Sequence, residues 1–142
     1  MSIPTKSWAK QGAVAIFAAA VVLGLAGCSA APATTNVTTV VDGLTINVTS
    51  DPPEPHTGDN NLEVTIRDVK SGMPVVDANV AGTVVMTAPR LTGVTQTGRS
   101  KGNGLYEIPT VYATATTYDI SIQVERPGHP AADVNLSLEA AQ

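Results

Sequence analysis

From Tyr118 to Glu125 every second residue is apolar: Tyr118, Ile120, Ile122 and Val124 alternate with Asp119, Ser121, Gln123 and Glu125. A period of two places the apolar set on one face of an extended strand and gives the polar set to solvent, whereas a helix would scatter both around its circumference. The pattern recurs. Leu44, Ile46 and Val48 alternate with Thr45 and Asn47, and Leu62, Val64 and Ile66 alternate with Glu63, Thr65 and Arg67. Beyond residue 27 no window of helical length carries a sustained apolar period of about 3.6 residues. The chain past that point therefore folds from strands.

Turn chemistry separates the alternating runs. A proline-rich segment covers Asp51–Asp59, Lys70-Ser71-Gly72 forms a turn, Gly102-Asn103-Gly104 a tight connection and Arg126-Pro127-Gly128-His129-Pro130 a loop. Between them the sequence predicts strands over Ala78–Met86 and Leu105–Ile108, an edge strand over Gly93–Thr97, and a closing strand carrying Val134, Leu136 and Leu138. Roughly seven strands at this spacing predict an all-β, immunoglobulin-like β-sandwich over residues 42–142. Trp8 and Phe17 lie in the N-terminal segment, so the sandwich has Tyr106, Tyr112 and Tyr118 as its only aromatics, and its core is expected to be aliphatic.

The first 27 residues follow a different rule. Lys6 and Lys10 precede an uncharged apolar run, Ala13–Ala26, about 14 residues long and short of the roughly 20 that cross a bilayer as a permanent helix. This reads as a cleaved signal peptide over 1–27. Leu25-Ala26-Gly27-Cys28 resembles the lipobox of bacterial lipoproteins, with small residues before the cysteine and a thiol placed for diacylglyceryl attachment. Cys28 is the sole cysteine, which excludes an internal disulfide and a cysteine-based metal cluster. The uncharged Ala, Pro, Thr and Asn that follow read as a flexible tether, so residues 28–41 are expected to link the lipidated Cys28 to the sandwich. Lipidation implies a cell-membrane location, with the domain facing the extracytoplasmic side.

All 12 acids but only six of the eight bases lie beyond residue 27, which argues against nucleic acid as a partner. Asn36, Asn47 and Asn135 begin Asn-x-Ser/Thr triplets, which carry no weight beside a bacterial lipobox.

The stretch Asp51-Pro52-Pro53-Glu54-Pro55, Thr57-Gly58-Asp59-Asn60, the strand Leu62–Ile66 ending at Asp68, then Gly72-x-Pro74-Val75 and Asp77-Ala78-x-Val80 resembles the YtkA-like (FixH-like) domain family of extracytoplasmic bacterial proteins. Gly104-x-Tyr106 and Pro127-Gly128 continue the likeness. The resemblance implies a β-sandwich and, for the family, copper handling or oxidase assembly through a Met-x-x-Met region. Here that region reads Met86-Thr87-Ala88-Pro89-Arg90-Leu91, with one methionine.

The copper candidates are accordingly Met86, His129 and His56, with Met73 as a further soft donor. Copper needs three or four such donors gathered in space, and a common end for Met86 and His129 is the arrangement that would favour it. Asp59-Asn60-Asn61 with Asp68 or Asp77 offers oxygen ligands, though at no EF-hand spacing, and corner Asp and Asn residues ordinarily cap turns. No nucleophile elbow or His-Glu-x-x-His motif is present, so no catalytic residue is assigned and the chain is not expected to be an enzyme. Arg90, Arg99 and Lys101 make the segment 87–104 locally basic. Two functions follow as expectations. One is a membrane-anchored module that binds another envelope protein without a cofactor. The other is an extracytoplasmic copper-handling protein.

Overall fold

The computed structural model describes residues 35–142. The leader 1–27, Cys28 and the first part of the expected tether lie outside the described residues. Those described form nine strands: β1 (Asn36–Val41), β2 (Leu44–Asp51), β3 (Gly58–Asp68), β4 (Asn79–Met86), β5 (Val94–Thr97), β6 (Arg99–Gly102), β7 (Leu105–Tyr112), β8 (Thr117–Glu125) and β9 (Ala132–Glu139). They build two antiparallel sheets, ordered β1-β2-β3-β7-β6 and β5-β4-β8-β9. The architecture is the expected all-β sandwich with more strands than the roughly seven predicted.

The alternation delivers the core directly. Leu44, Ile46 and Val48 of β2 and Leu62, Val64 and Ile66 of β3 are fully buried from one sheet. They meet Ile120, Ile122 and Val124 of β8 and Val134 and Leu138 of β9 from the other. Each such side chain contributes about 1.5–3 kcal/mol by leaving water. The core is not purely aliphatic, because Tyr106, Tyr112 and Tyr118 are all buried within it. With no Trp or Phe left to fill the sandwich, the tyrosines supply its bulk.

Three differences from the sequence reading are local, and one is β6, a short strand where none was predicted. The expected tether over 28–41 is structured from Asn36 onward, where the whole of β1 pairs with Leu44–Thr49 of β2. Asp42 and Gly43 both take positive φ, 49° and 76°, which is the geometry of a two-residue hairpin turn that Asp-Gly favours. The predicted strand Leu105–Ile108 runs on through Pro109 to Tyr112. Its partner β6 reaches only as far as Glu107, so Pro109 falls where β7 has no neighbour on that side and needs no N–H for a ladder.

The chain changes sheets at Gly98, between β5 and β6. A Cβ there would lie 3.2 Å from both the Ile108 side chain and the Val80 carbonyl oxygen, so only glycine lets the crossing strand lie flat on the core. Above the crossing, toward Met86, the sheets part along this edge, while Tyr112 and Tyr118 keep them packed behind it.

Candidate functional site

Where the sheets part, the unpaired half of β7 faces β4 and β5 across a cleft of about 260 Å³. Val84, Met86 and Tyr118 form its floor and one wall, Pro109, Thr110 and Val111 the other, and Leu91 and Val94 its rim. The rim and outer wall hold the large apolar side chains Leu91, Val94 and Val111, which are 53%, 59% and 67% exposed. Together they give the cleft an apolar mouth beside an open strand edge. Met86 is fixed at one end, where its Sδ accepts a hydrogen bond from the Thr114 hydroxyl at 3.4 Å. Tyr118 is fixed too: its OH donates to the Thr114 carbonyl at 2.9 Å and accepts from the Thr114 amide at 3.1 Å.

The polar groups behind this wall are not satisfied. Thr110 is 4% exposed and its hydroxyl has no protein partner, and the same holds for Tyr112 OH and Ser50 Oγ. The Thr110 hydroxyl lies near the Tyr112 phenol, two residues along the same face of β7, without hydrogen-bonding geometry. Burial pushes the Tyr112 phenol above its ordinary pKa. A buried hydroxyl without a partner is costly.

β5 borders the cleft and ends its sheet. Gly98 donates to the Val80 carbonyl at 2.7 Å, and the register pairs Gln96 with Gly82 and Val94 with Val84. Antiparallel bonding alternates, so Gln96 and Val94 are bonded to β4 whereas Thr95 and Thr97 direct their main-chain N–H and C=O away from it. The side chains of Val94 and Gln96 turn into the cleft, and that of Thr95 bonds Thr83 at 2.7 Å on the other face.

The sequence candidates are dispersed. Met86 pairs with Tyr118 at the start of β8, whereas His129 follows the end of that nine-residue strand. At about 3.3 Å per residue the two stand at opposite ends of the sandwich, roughly 25 Å apart. His129 shares a shallow depression with Met73, Pro74 and Asp77. His56 is at the Met86 end but bridges Ala141, beyond β9, while Met86 lies two strands away on β4. Its Nδ1–H donates to the Thr57 carbonyl at 2.8 Å.

Among the described residues no three His, Cys, Asp or Glu side chains gather as a metal-holding group. The donors present do not fit a copper centre. Nor do Asp59–Asn61 and Asp68 meet, since they lie at opposite ends of β3. Asn60 instead ties the preceding corner to itself through the main chain of His56 and Gly58. Asp68 Oδ1 accepts from the amides of Lys70 and Ser71 and from the Ser71 hydroxyl, which holds its carboxyl below the ordinary range. The basic segment is also partly spent, because Arg99 and Lys101 lie on β6 and Lys101 pairs with Glu107 at 3.3 Å.

The cleft residues Leu91, Val94, Thr110 and Val111 were not candidates from the sequence. Their one legible signal is Pro109, which marks an open edge in an otherwise apolar strand.

Comparison with known proteins accords with this architecture. In fold the chain is similar to a DUF4426 family protein from Pseudomonas aeruginosa, with a TM-score of 0.56 at 16% identity, over 74% of this chain and 96% of that one. It is similar to a copper-bound variant of FetP from uropathogenic Escherichia coli, with a TM-score of 0.57 at 10% identity, over 75% and 95% of the two chains. FetP as isolated gives a TM-score of 0.55 at 12% identity, over 77% and 95%. No curated protein matches the chain in sequence. A family model described as YtkA-like matches residues 38–130, from within β1 to the loop after β8. With all but the last strand of the sandwich under that match, the chain belongs to the YtkA-like family.

Proposed function

We propose that this is a non-enzymatic extracytoplasmic lipoprotein, anchored through Cys28, whose sandwich binds an extended segment of another envelope protein along β5 and over the cleft. The observation that carries the reading is the coincidence of an apolar cleft with an unpaired strand edge. An added strand would pair with the outward main-chain groups of Thr95 and Thr97, and its alternate side chains would drop over Leu91, Met86 and Val111. Main-chain pairing supplies affinity, and the cleft supplies selection for apolar side chains at every second position. A lipid anchor would confine the domain to the membrane surface and raise its effective concentration near such a partner.

The test is a photo-crosslinking residue at Val94 in the full chain, in its native envelope, with Ser137 on the far edge strand as the comparison position. The expected adduct is a peptide with alternating apolar residues, formed from Val94 and not from Ser137. Thr95→Pro should abolish it at only a small cost in the urea midpoint, because that N–H makes no bond to β4 and only the exposed hydroxyl contact with Thr83 is lost. An adduct that survives Thr95→Pro refutes strand addition.

A further inference from the structure

The first described residue fixes which end of the sandwich a membrane anchor can hold close. Thr35 is buried, donates its amide to the Pro53 carbonyl at 3.4 Å, and leads into β1 opposite the end of β2. That is the Met86 end, where β3 and β8 begin and where the cleft opens. Seven residue steps separate Cys28 from Thr35, a reach of roughly 25 Å at full extension. We infer that the cleft end faces the membrane and that the segment it takes is the juxtamembrane stretch of an envelope membrane protein. This inference rests on the lipid anchor proposed above.

Three observations favour a polypeptide from that zone over the bilayer itself. Asp51, Glu54, Asp59 and Glu139 stand exposed at this end against Arg90, so that although the tether holds this end near the surface, its charge keeps it from inserting into anionic lipid. Beyond Glu107 β7 has no β6 partner, so its main chain on that side suits an occupant that carries hydrogen-bonding groups, which an acyl chain lacks. The outward main-chain groups of Thr95 and Thr97 ask for the same. The opposite end, with His129 and the Asp68 turn, is then held a further sandwich length from the surface.

The experiment uses the full lipidated chain in vesicles of phosphatidylethanolamine and phosphatidylglycerol. A single added thiol, Ala115→Cys at the cleft end or Lys70→Cys at the other, carries a fluorescent donor, and the vesicles carry headgroup-labelled acceptor lipid. Energy transfer is expected to be at least about twofold stronger from position 115 than from position 70. The mass of the lipid on Cys28 and flotation with vesicles are read on the same samples. Equal transfer from protein that floats overturns the orientation and leaves the anchor standing. Protein that neither floats nor carries lipid removes the anchor and this inference with it. Quenching at Leu91→Cys by acyl-chain-labelled lipid would show the bilayer in the cleft and overturn the choice of occupant. The Val94 adduct is expected within a few residues of the partner's transmembrane segment, and an adduct on a distant soluble domain would also overturn it.

Discussion

The two ends of this sandwich differ in how completely they satisfy their buried polar groups. At the end that carries His129, Tyr106 is buried with its OH donating to the Val75 carbonyl at 3.0 Å and accepting from the Ala78 amide at 3.1 Å. Gly104 closes the same region at a φ of 74°, and its carbonyl accepts from the Ile66 amide at 2.8 Å. At the Met86 end Tyr112 is equally buried, yet its OH, like the hydroxyls of Ser50 and Thr110, bonds to no protein group. Satisfied polar groups lock one end into a single arrangement. At the other end Tyr118 and Asn60 are satisfied too, while Ser50, Thr110 and Tyr112 keep unbonded hydroxyls, and of these only Thr110 lines the cleft.

The sharpest way to break this contrast is to remove one hydroxyl from each end. Tyr106→Phe strands the Val75 carbonyl and the Ala78 amide, and should cost about 2–4 kcal/mol. Tyr112→Phe removes a group that has no bond to lose, and should change stability by less than about 1 kcal/mol in either direction. Urea unfolding with an unchanged slope would measure both. Equal losses would mean that Tyr112 is bonded in solution and that the two ends do not differ. The tilted packing of Tyr112 on Tyr118, with centroids 4.7 Å apart, survives in the phenylalanine variant and does not confuse the comparison.

The same contrast explains what could be read from the sequence. Strict alternation made the inward faces of β2, β3 and β8 legible, because a period of two leaves no choice of face once the core is apolar. β1 escaped because its residues alternate only between exposed and half-buried at a sheet edge, so the valines of Asn36–Val41 keep no strict period of two. The Asp-Gly at 42–43 was the signal that could have found it. The second half of β7 escaped because Pro109 reads as a stop, when in fact it marks an edge without a partner. The cleft was beyond reach for a different reason: Leu91 and Val111 are 20 positions apart, and only the sheet crossing at Gly98 brings their strands together. Conversely, Met86 and His129 were attractive by residue type, and the direction of β8 sets them apart.

A smaller effect is expected at the Asp68 turn, where hydrogen bonds from Ser71 and Lys70 hold the carboxyl below its ordinary pKa. A group depressed in the folded state stabilises above its unfolded pKa and loses that contribution as pH falls through the folded one. Thermal midpoints should therefore be flat near neutrality and fall below about pH 4. Asp68→Asn should fall less steeply there, because its amide does not titrate. An acid limb of identical slope in the variant would show that other carboxylates carry it. The turn would then be no firmer than the loops at the cleft end.

The least effect is expected from removing the soft donors themselves. Met86 and His129 lie at opposite ends, and His56 is held against the C-terminal segment with one ring nitrogen committed to Thr57. A copper ion at either end would thus meet one or two protein donors where three or four are usual. The domain from residue 29 onward, which lacks the Cys28 thiol, should titrate with Cu(I) more weakly than about 10 μM. Met86→Ala and His129→Ala should leave that titration unchanged. Stoichiometric binding at micromolar affinity or better, lost in either variant, would restore the copper reading and assign the site to that variant's end. Loss in both would require the two ends of separate molecules to share one ion, which a doubled mass on copper addition would reveal.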